Sequence, residues 1–255
     1  ELMGGREVLL DVDRTPAETG DVVASVSDVV VEDDRGVRAV DGVSFDVRAG
    51  EVFGIAGVDG NGQSELVEAL TGLQFPERGE IRFLGEDVTE APRRRRIESG
   101  MAYIPEDRQE RGLVMDFDLV ENALLGSQHS PEFGPSGRID WAATREHAES
   151  VIEKYDVRTP NADATSESLS GGNQQKFIVG REFERDPELV VASHPTRGVD
   201  VGSIEFIHER LLELRKQGVA ILLVSSKLEE VQGLSDRLAV LYEGEFMDVV
   251  DPAET

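Results

Sequence analysis

Glu51-Val52-Phe53-Gly54-Ile55-Ala56-Gly57-Val58-Asp59-Gly60-Asn61-Gly62-Gln63-Ser64 runs from a near-continuous apolar segment straight into a glycine loop. Apolar residues without alternation mark a parallel strand covered on both faces. A strand feeding such a loop, with a helix opening at Ser64, is the context that a phosphate-cradling loop requires. Gly57, Gly60 and Gly62 let the backbone turn its N–H groups inward around Asp59 and Asn61, and the helix start adds partial positive charge. Ser64 holds the hydroxyl position that would touch Mg²⁺, a weak metal contact by itself. The pattern G-x-x-x-x-G-K-[ST] places Lys where Gln63 stands. Glutamine keeps a donor but loses the cation. A charge-assisted contact is worth about 1.5–3 kcal/mol against about 1 for a neutral one, so the expectation is weak phosphate binding or none.

Outward from this loop, Leu189–Ala192 and Val219–Ser225 repeat the covered-strand pattern. They alternate with helices expected at Ser64–Thr71, Gln174–Glu184 and Gly202–Gln217, with Gly72 and Gly218 as C-terminal stops. Strand–helix alternation predicts a doubly wound α/β core. Val22–Val31 alternates as a half-buried strand, Val37–Val47 reads as a strand pair turning at Asp41-Gly42, and Glu80–Leu84 is a short strand before Gly85-Glu86-Asp87. These form an expected antiparallel β layer. Residues 114–165 break the rhythm with Leu119–Gly126, a Pro/Gly loop and an amphipathic stretch Asp140–Tyr155, which predicts an inserted helical subdomain. Residues 1–20 are turn-rich and read as a linker before a domain spanning 21–255. Glu1-Leu2-Met3 does not look like a natural start, so the chain is expected to continue a longer one.

The chain has 255 residues, no cysteine, and 26 basic against 52 acidic residues, a formal charge of −26. No thiolate metal site or disulfide framework is available, no export signal is visible, and no apolar run is long enough to span a membrane. Such a surface repels nucleic acid and would oppose binding of any polyanion at low salt. In molar salt the Debye length falls to about 3 Å and the penalty largely vanishes. With only four lysines, the balance predicts a halophilic source with a salt-filled cytosol. Arg93–Arg96 reads as a locally neutralised surface, His129, His147 and His208 lack metal-ligand spacing, and Trp141 and Phe133 are expected to pack the helical insert.

Leu169-Ser170-Gly171-Gly172-Asn173-Gln174-Gln175-Lys176 follows the loop by about a hundred residues. It resembles the signature motif of ATP-binding-cassette ATPases. Arg185-Asp186-Pro187-Glu188-Leu189-Val190-Val191-Ala192-Ser193-His194-Pro195-Thr196-Arg197-Gly198-Val199-Asp200 resembles that family's Walker B and D-loop stretch. Ile221–Lys227 is similar to its switch strand, and Ser235–Gly244 to the strand after it. The resemblance covers residues 21–252. It implies a P-loop ATPase fold with an antiparallel β subdomain and a helical insert, binding ATP and Mg²⁺ between two cassettes packed head to tail. Ser170, Gly171 and Gly172 would then act in trans on the partner cassette's ATP, and Asp200 would link the two sites.

Measured against the family pattern, Ser193 and His194 stand where Asp and Glu are expected, Ser226 where the switch histidine is, and Glu106 where the Q-loop glutamine is. Asp would organise the metal and Glu would polarise the attacking water. No aromatic residue between Val22 and Val43 is present to stack on adenine. His194 is expected to pack or hydrogen-bond rather than act as a base. These departures resemble the second, C-terminal cassette of the fused two-cassette ATPases of sugar- and nucleoside-type importers. The implied partners are an N-terminal cassette of the same polypeptide, transmembrane permease subunits and, indirectly, a solute-binding protein, with no nucleic acid. The implied place is the cytoplasmic face of the cell membrane. Two alternatives share the fold: a non-hydrolytic regulatory lobe, and a soluble non-transport cassette protein.

Overall fold

Every side chain of Val52–Ala56 (β3) is buried, because β3 lies inside a parallel sheet with helices on one face and a second sheet on the other. A computed structural model describes residues 18–134 and 138–252; the expected linker lies almost wholly outside them. In chain order the elements before the insert are β1 (Val22–Glu32), β2 (Arg38–Arg48), β3, α1 (Gln63–Thr71), β4 (Arg78–Phe83), β5 (Glu86–Asp87), α2 (Arg93–Glu98) and β6 (Met101–Ile104). Then follow α3 (Leu119–Ala123), α4 (Trp141–Lys154), α5 (Gly171–Phe183), β7 (Leu189–Ser193), α6 (Val201–Lys216), β8 (Ala220–Ser225), α7 (Leu228–Leu234), β9 (Arg237–Tyr242) and β10 (Glu245–Val250).

The larger sheet has the order β10-β9-β3-β8-β7-β6, parallel except for the β9–β10 hairpin. The smaller sheet is antiparallel, in the order β2-β1-β4-β5. One core lies between the two sheets and around α1, with Phe45 stacked on Phe53 at 5.1 Å between ring centroids. The other core joins the opposite face of the larger sheet to α5, α6 and the helical insert through Ile104, Phe177, Ile178 and Ile207. No helix among the described residues is long and apolar enough to cross a membrane.

Three sequence expectations change. Val37–Val47 is not a pair of strands: β2 is one strand along β1, and Asp41-Gly42 sits at a register shift with Gly42 at φ +75°. An Asp-Gly pair serves a bulge as readily as a hairpin turn, since both need a left-handed residue. Arg93–Arg96 is not simply surface, because Arg96 is fully buried; its guanidinium donates to the carbonyls of Ala69, Leu70, Ala91 and Thr89. It thereby covers the C-terminal carbonyls of α1, which lack partners within the helix, and burial depresses its pKa to about 10. Trp141 is 51% exposed rather than packed, whereas Phe133 is buried against His147.

Candidate nucleotide site and signature surface

The glycine loop sits at the C-terminal end of β3, and α1 begins at Gln63 with Gly62 as its N-cap at φ +101°. A Cβ on Gly62 would lie 2.1 Å from the Ala39 carbonyl oxygen, so both conformation and space demand glycine there. The loop is pinned by its own side chains. Gln63 is buried, and its Nε2 donates to the Gly57 carbonyl at 3.0 Å. Asn61 Nδ2 donates to the Val58 carbonyl at 2.8 Å, while its Oδ1 accepts from Glu243 N at 2.9 Å. Asp59, Gly60 and Ser64 are exposed. The residue at the lysine position therefore holds the loop's backbone instead of reaching outward.

Ser64 lines a groove of 520 Å³ together with Ser193, Glu106, Arg108, Arg111 and Arg197. Ser193, at the end of β7, is buried. His194 adopts φ +45°, its N–H donates to the Val224 carbonyl at 2.8 Å, and its Nδ1 accepts from Ser226 N at 3.4 Å. Burial lowers the His194 pKa, outweighing the opposite pull of Asp59 and Glu230. A neutral ring accepting at Nδ1 carries its proton on Nε2, so neither nitrogen is free to take a proton from water. Glu106 forms an ion pair with Arg197. Arg108 bridges the same region, donating to the Arg197 carbonyl at 2.9 Å and to Gln174 Oε1 at 3.2 Å. Ser64 and Ser193 offer only hydroxyls, and the carboxylate of the same groove, Glu106, is taken up by its ion pair with Arg197, so the set does not fit a tightly held divalent ion. Among the described residues no group of three or more His, Asp or Glu side chains is placed to hold a metal.

The signature is built differently. Ser170 is exposed and N-caps α5, its Oγ accepting from Asn173 N at 3.5 Å and from Asn173 Nδ2 at 2.9 Å. Gln175 Nε2 donates to the Pro195 carbonyl and Gln174 Nε2 to the Ser166 carbonyl, which fixes α5 against its surroundings. Lys176 pairs with Asp156 at 2.9 Å and lies 4.7 Å from the Phe206 ring centroid. Asp200 N-caps α6, accepting from Ser203 N at 3.0 Å and Ser203 Oγ at 2.8 Å. Those hydrogen bonds hold its carboxyl below the usual carboxylate range. A Cβ on Gly172 would stand 2.4 Å from both Asp200 Oδ2 and Ser203 Oγ, and one on Gly171 2.7 Å from Arg108 Nη2. The signature start and the D-loop cap are thus in direct contact.

Sequence reading gave no sign that Glu230, Thr196, Ser225 and His208 meet inside the protein. His208 left a trace, since it follows Ile207 and precedes Leu211 on the buried face of an amphipathic helix.

The folded chain superposes on a nucleotide-free ATP-binding cassette from an ABC transporter with a TM-score of 0.74, at 23% identity, covering 91% of this chain and 92% of that one. It also superposes on a dimeric cassette in a post-hydrolysis state bound to ADP and Pi, with a TM-score of 0.76 at 20% identity, covering 90% and 98%. These define an ABC ATPase P-loop fold. Residues 40–197 match the ABC transporter family, and the chain belongs to it. The guanosine import ATP-binding protein of Bacillus subtilis is 46% identical over 254 residues, 100% of this chain and 50% of that protein. The glucose import ATP-binding protein of Haloferax volcanii is 44% identical over 256 residues, 100% of this chain and 46% of that protein. The chain spans about half the length of the curated relatives it matches.

Proposed function

We propose that the chain is the C-terminal cassette of a two-cassette ATPase that energises uptake of a nucleoside or simple sugar. Its own P-loop is degenerate, and it lends Ser170, Gly171 and Gly172 to ATP held by the N-terminal cassette of the same polypeptide. The observation that carries this reading is the contrast between the two motifs. Ser170 stands exposed at the start of a 13-residue helix, while Gln63 is turned onto the Gly57 carbonyl. A helix N-terminus offers N–H groups and partial positive charge to a phosphate. The P-loop offers the same backbone but no cation, no carboxylate at position 193 and no free base at His194. Relatives that are import ATP-binding proteins of about twice this length support a second cassette and permease partners at the inner membrane face. The charge of −26 and the Haloferax relative support a salt-rich cytosol.

The test is calorimetric titration of this chain with Mg-ATP in molar KCl, with phosphate release followed in parallel. Weak or absent binding without turnover is expected. Binding at about micromolar affinity with steady turnover overturns the degenerate-site reading.

A further inference from the structure

One buried carboxylate ties together the turn after β7, the end of β8 and the D-loop helix. Glu230 on α7 is 3% exposed. Its Oε1 accepts from Thr196 Oγ1 at 2.7 Å and from His208 Nε2 at 2.8 Å, and its Oε2 accepts from Ser225 Oγ at 2.6 Å. Lys227 closes the cluster, its Nζ donating to Thr196 Oγ1 at 3.1 Å and its N–H to Ser225 Oγ at 3.1 Å. Burial pushes the Glu230 pKa up, but the bonds from His208, Ser225 and Thr196 outweigh it and keep the carboxyl ionised. A carboxylate shared by these donors cannot follow one of them without lengthening its bonds to the others, and in a dry interior each lost bond is costly.

The cluster has an exit toward each functional surface. On one side Ser225 precedes Ser226, whose N–H reaches His194 Nδ1 beside the chain's own P-loop. On the other, His208 lies within α6, a single 16-residue helix whose cap, Asp200 with Ser203, leaves no room for a Cβ on Gly172 of the signature. We infer that Glu230 and His208 are positioning residues that couple the degenerate P-loop side of this cassette to the signature it presents to its partner. Neither touches nucleotide. They hold α6, and with it Asp200 and Gly172, in register with the end of β8. The inference rests on the function proposed above and deepens it, because it gives the degenerate site a route to influence hydrolysis in the other cassette.

The experiment uses the full-length protein and compares His208→Ala, His208→Gln and Ser170→Arg, with kcat normalised to the folded fraction from thermal unfolding. His208→Ala should lower kcat about tenfold with KM for ATP unchanged. His208→Gln, which keeps an N–H donor for Glu230, should restore most of the loss. An unchanged normalised kcat in His208→Ala overturns the coupling, and so does a loss that glutamine fails to rescue. If His208→Ala does not fold, Thr196→Val removes one donor to the same carboxylate and is judged by the same kcat criterion. Ser170→Arg separates the two claims: hydrolysis that survives it sinks the cassette role itself. Hydrolysis abolished by it but indifferent to His208→Ala and Thr196→Val sinks only the coupling.

Discussion

Gly172→Ala places a methyl group where the structure has no space. The added Cβ would lie 2.4 Å from Asp200 Oδ2 and 2.4 Å from Ser203 Oγ, about 1 Å inside ordinary van der Waals contact. Neither atom can retreat freely, because Asp200 caps α6 through bonds of 3.0 and 2.8 Å to Ser203. Overpacking of this kind costs about 1–3 kcal/mol, and loss of the helix cap adds about 1. The variant should therefore lose about 2–4 kcal/mol, a midpoint lowered by roughly 5–15 °C for a domain of this size. Thermal unfolding followed by circular dichroism measures it, with Gly60→Ala as comparison. Gly60 also has positive φ, at +87°, but faces open space, so only the backbone term of about 1 kcal/mol applies. A Gly172→Ala midpoint no lower than that of Gly60→Ala would refute the contact between signature and D-loop cap.

Gln63→Lys exchanges a neutral donor for a cation and should tighten ATP binding by roughly 2–30-fold; titration calorimetry checks it, and phosphate release should remain absent because Ser193 and His194 are unchanged. Arg96→Met should destabilise the fold by about 3 kcal/mol or more, since it strips the donor from four buried carbonyls, and denaturant unfolding reads it. The folded pKa of Glu230 lies below its ordinary value of 4.5, so its contribution to stability is present above that value and is lost as pH falls through the lower folded one. Acid unfolding of Glu230→Gln should accordingly show a shallower pH dependence than the parent below pH 4.5. Raising KCl from about 0.1 to 1 M shortens the screening length from about 10 to 3 Å; with a charge of −26 the thermal midpoint should rise.

Much of this architecture is legible in the residues because it depends on local pattern. The apolar runs that became β3, β7 and β8 are fully buried, and the glycines at 57, 60 and 62 mark the loop that joins β3 to α1. What escaped sequence reading depends on distance. Four consecutive arginines give no sign that Arg96 turns inward to the end of α1, because two of the carbonyls it reaches there lie 26 and 27 residues away on another helix. The Glu230 cluster draws on positions 196, 208 and 225, three separate elements that only the fold brings together. Gln63 reads from sequence as a lost cation, but its turn onto Gly57 is visible only in the loop geometry. Asp41-Gly42 shows the limit of turn chemistry, since a bulge and a hairpin ask for the same backbone.

On the function proposed above, this cassette contributes its signature, and not its own P-loop, to hydrolysis. The most direct measurement is phosphate release by the full-length protein carrying either Ser170→Arg or Ser64→Ala. Ser170→Arg should lose about a hundredfold or more, the scale for removing an oriented phosphate contact, and Ser64→Ala should keep near-parent rates. The reverse pattern, with Ser64→Ala inactive and Ser170→Arg active, would contradict it.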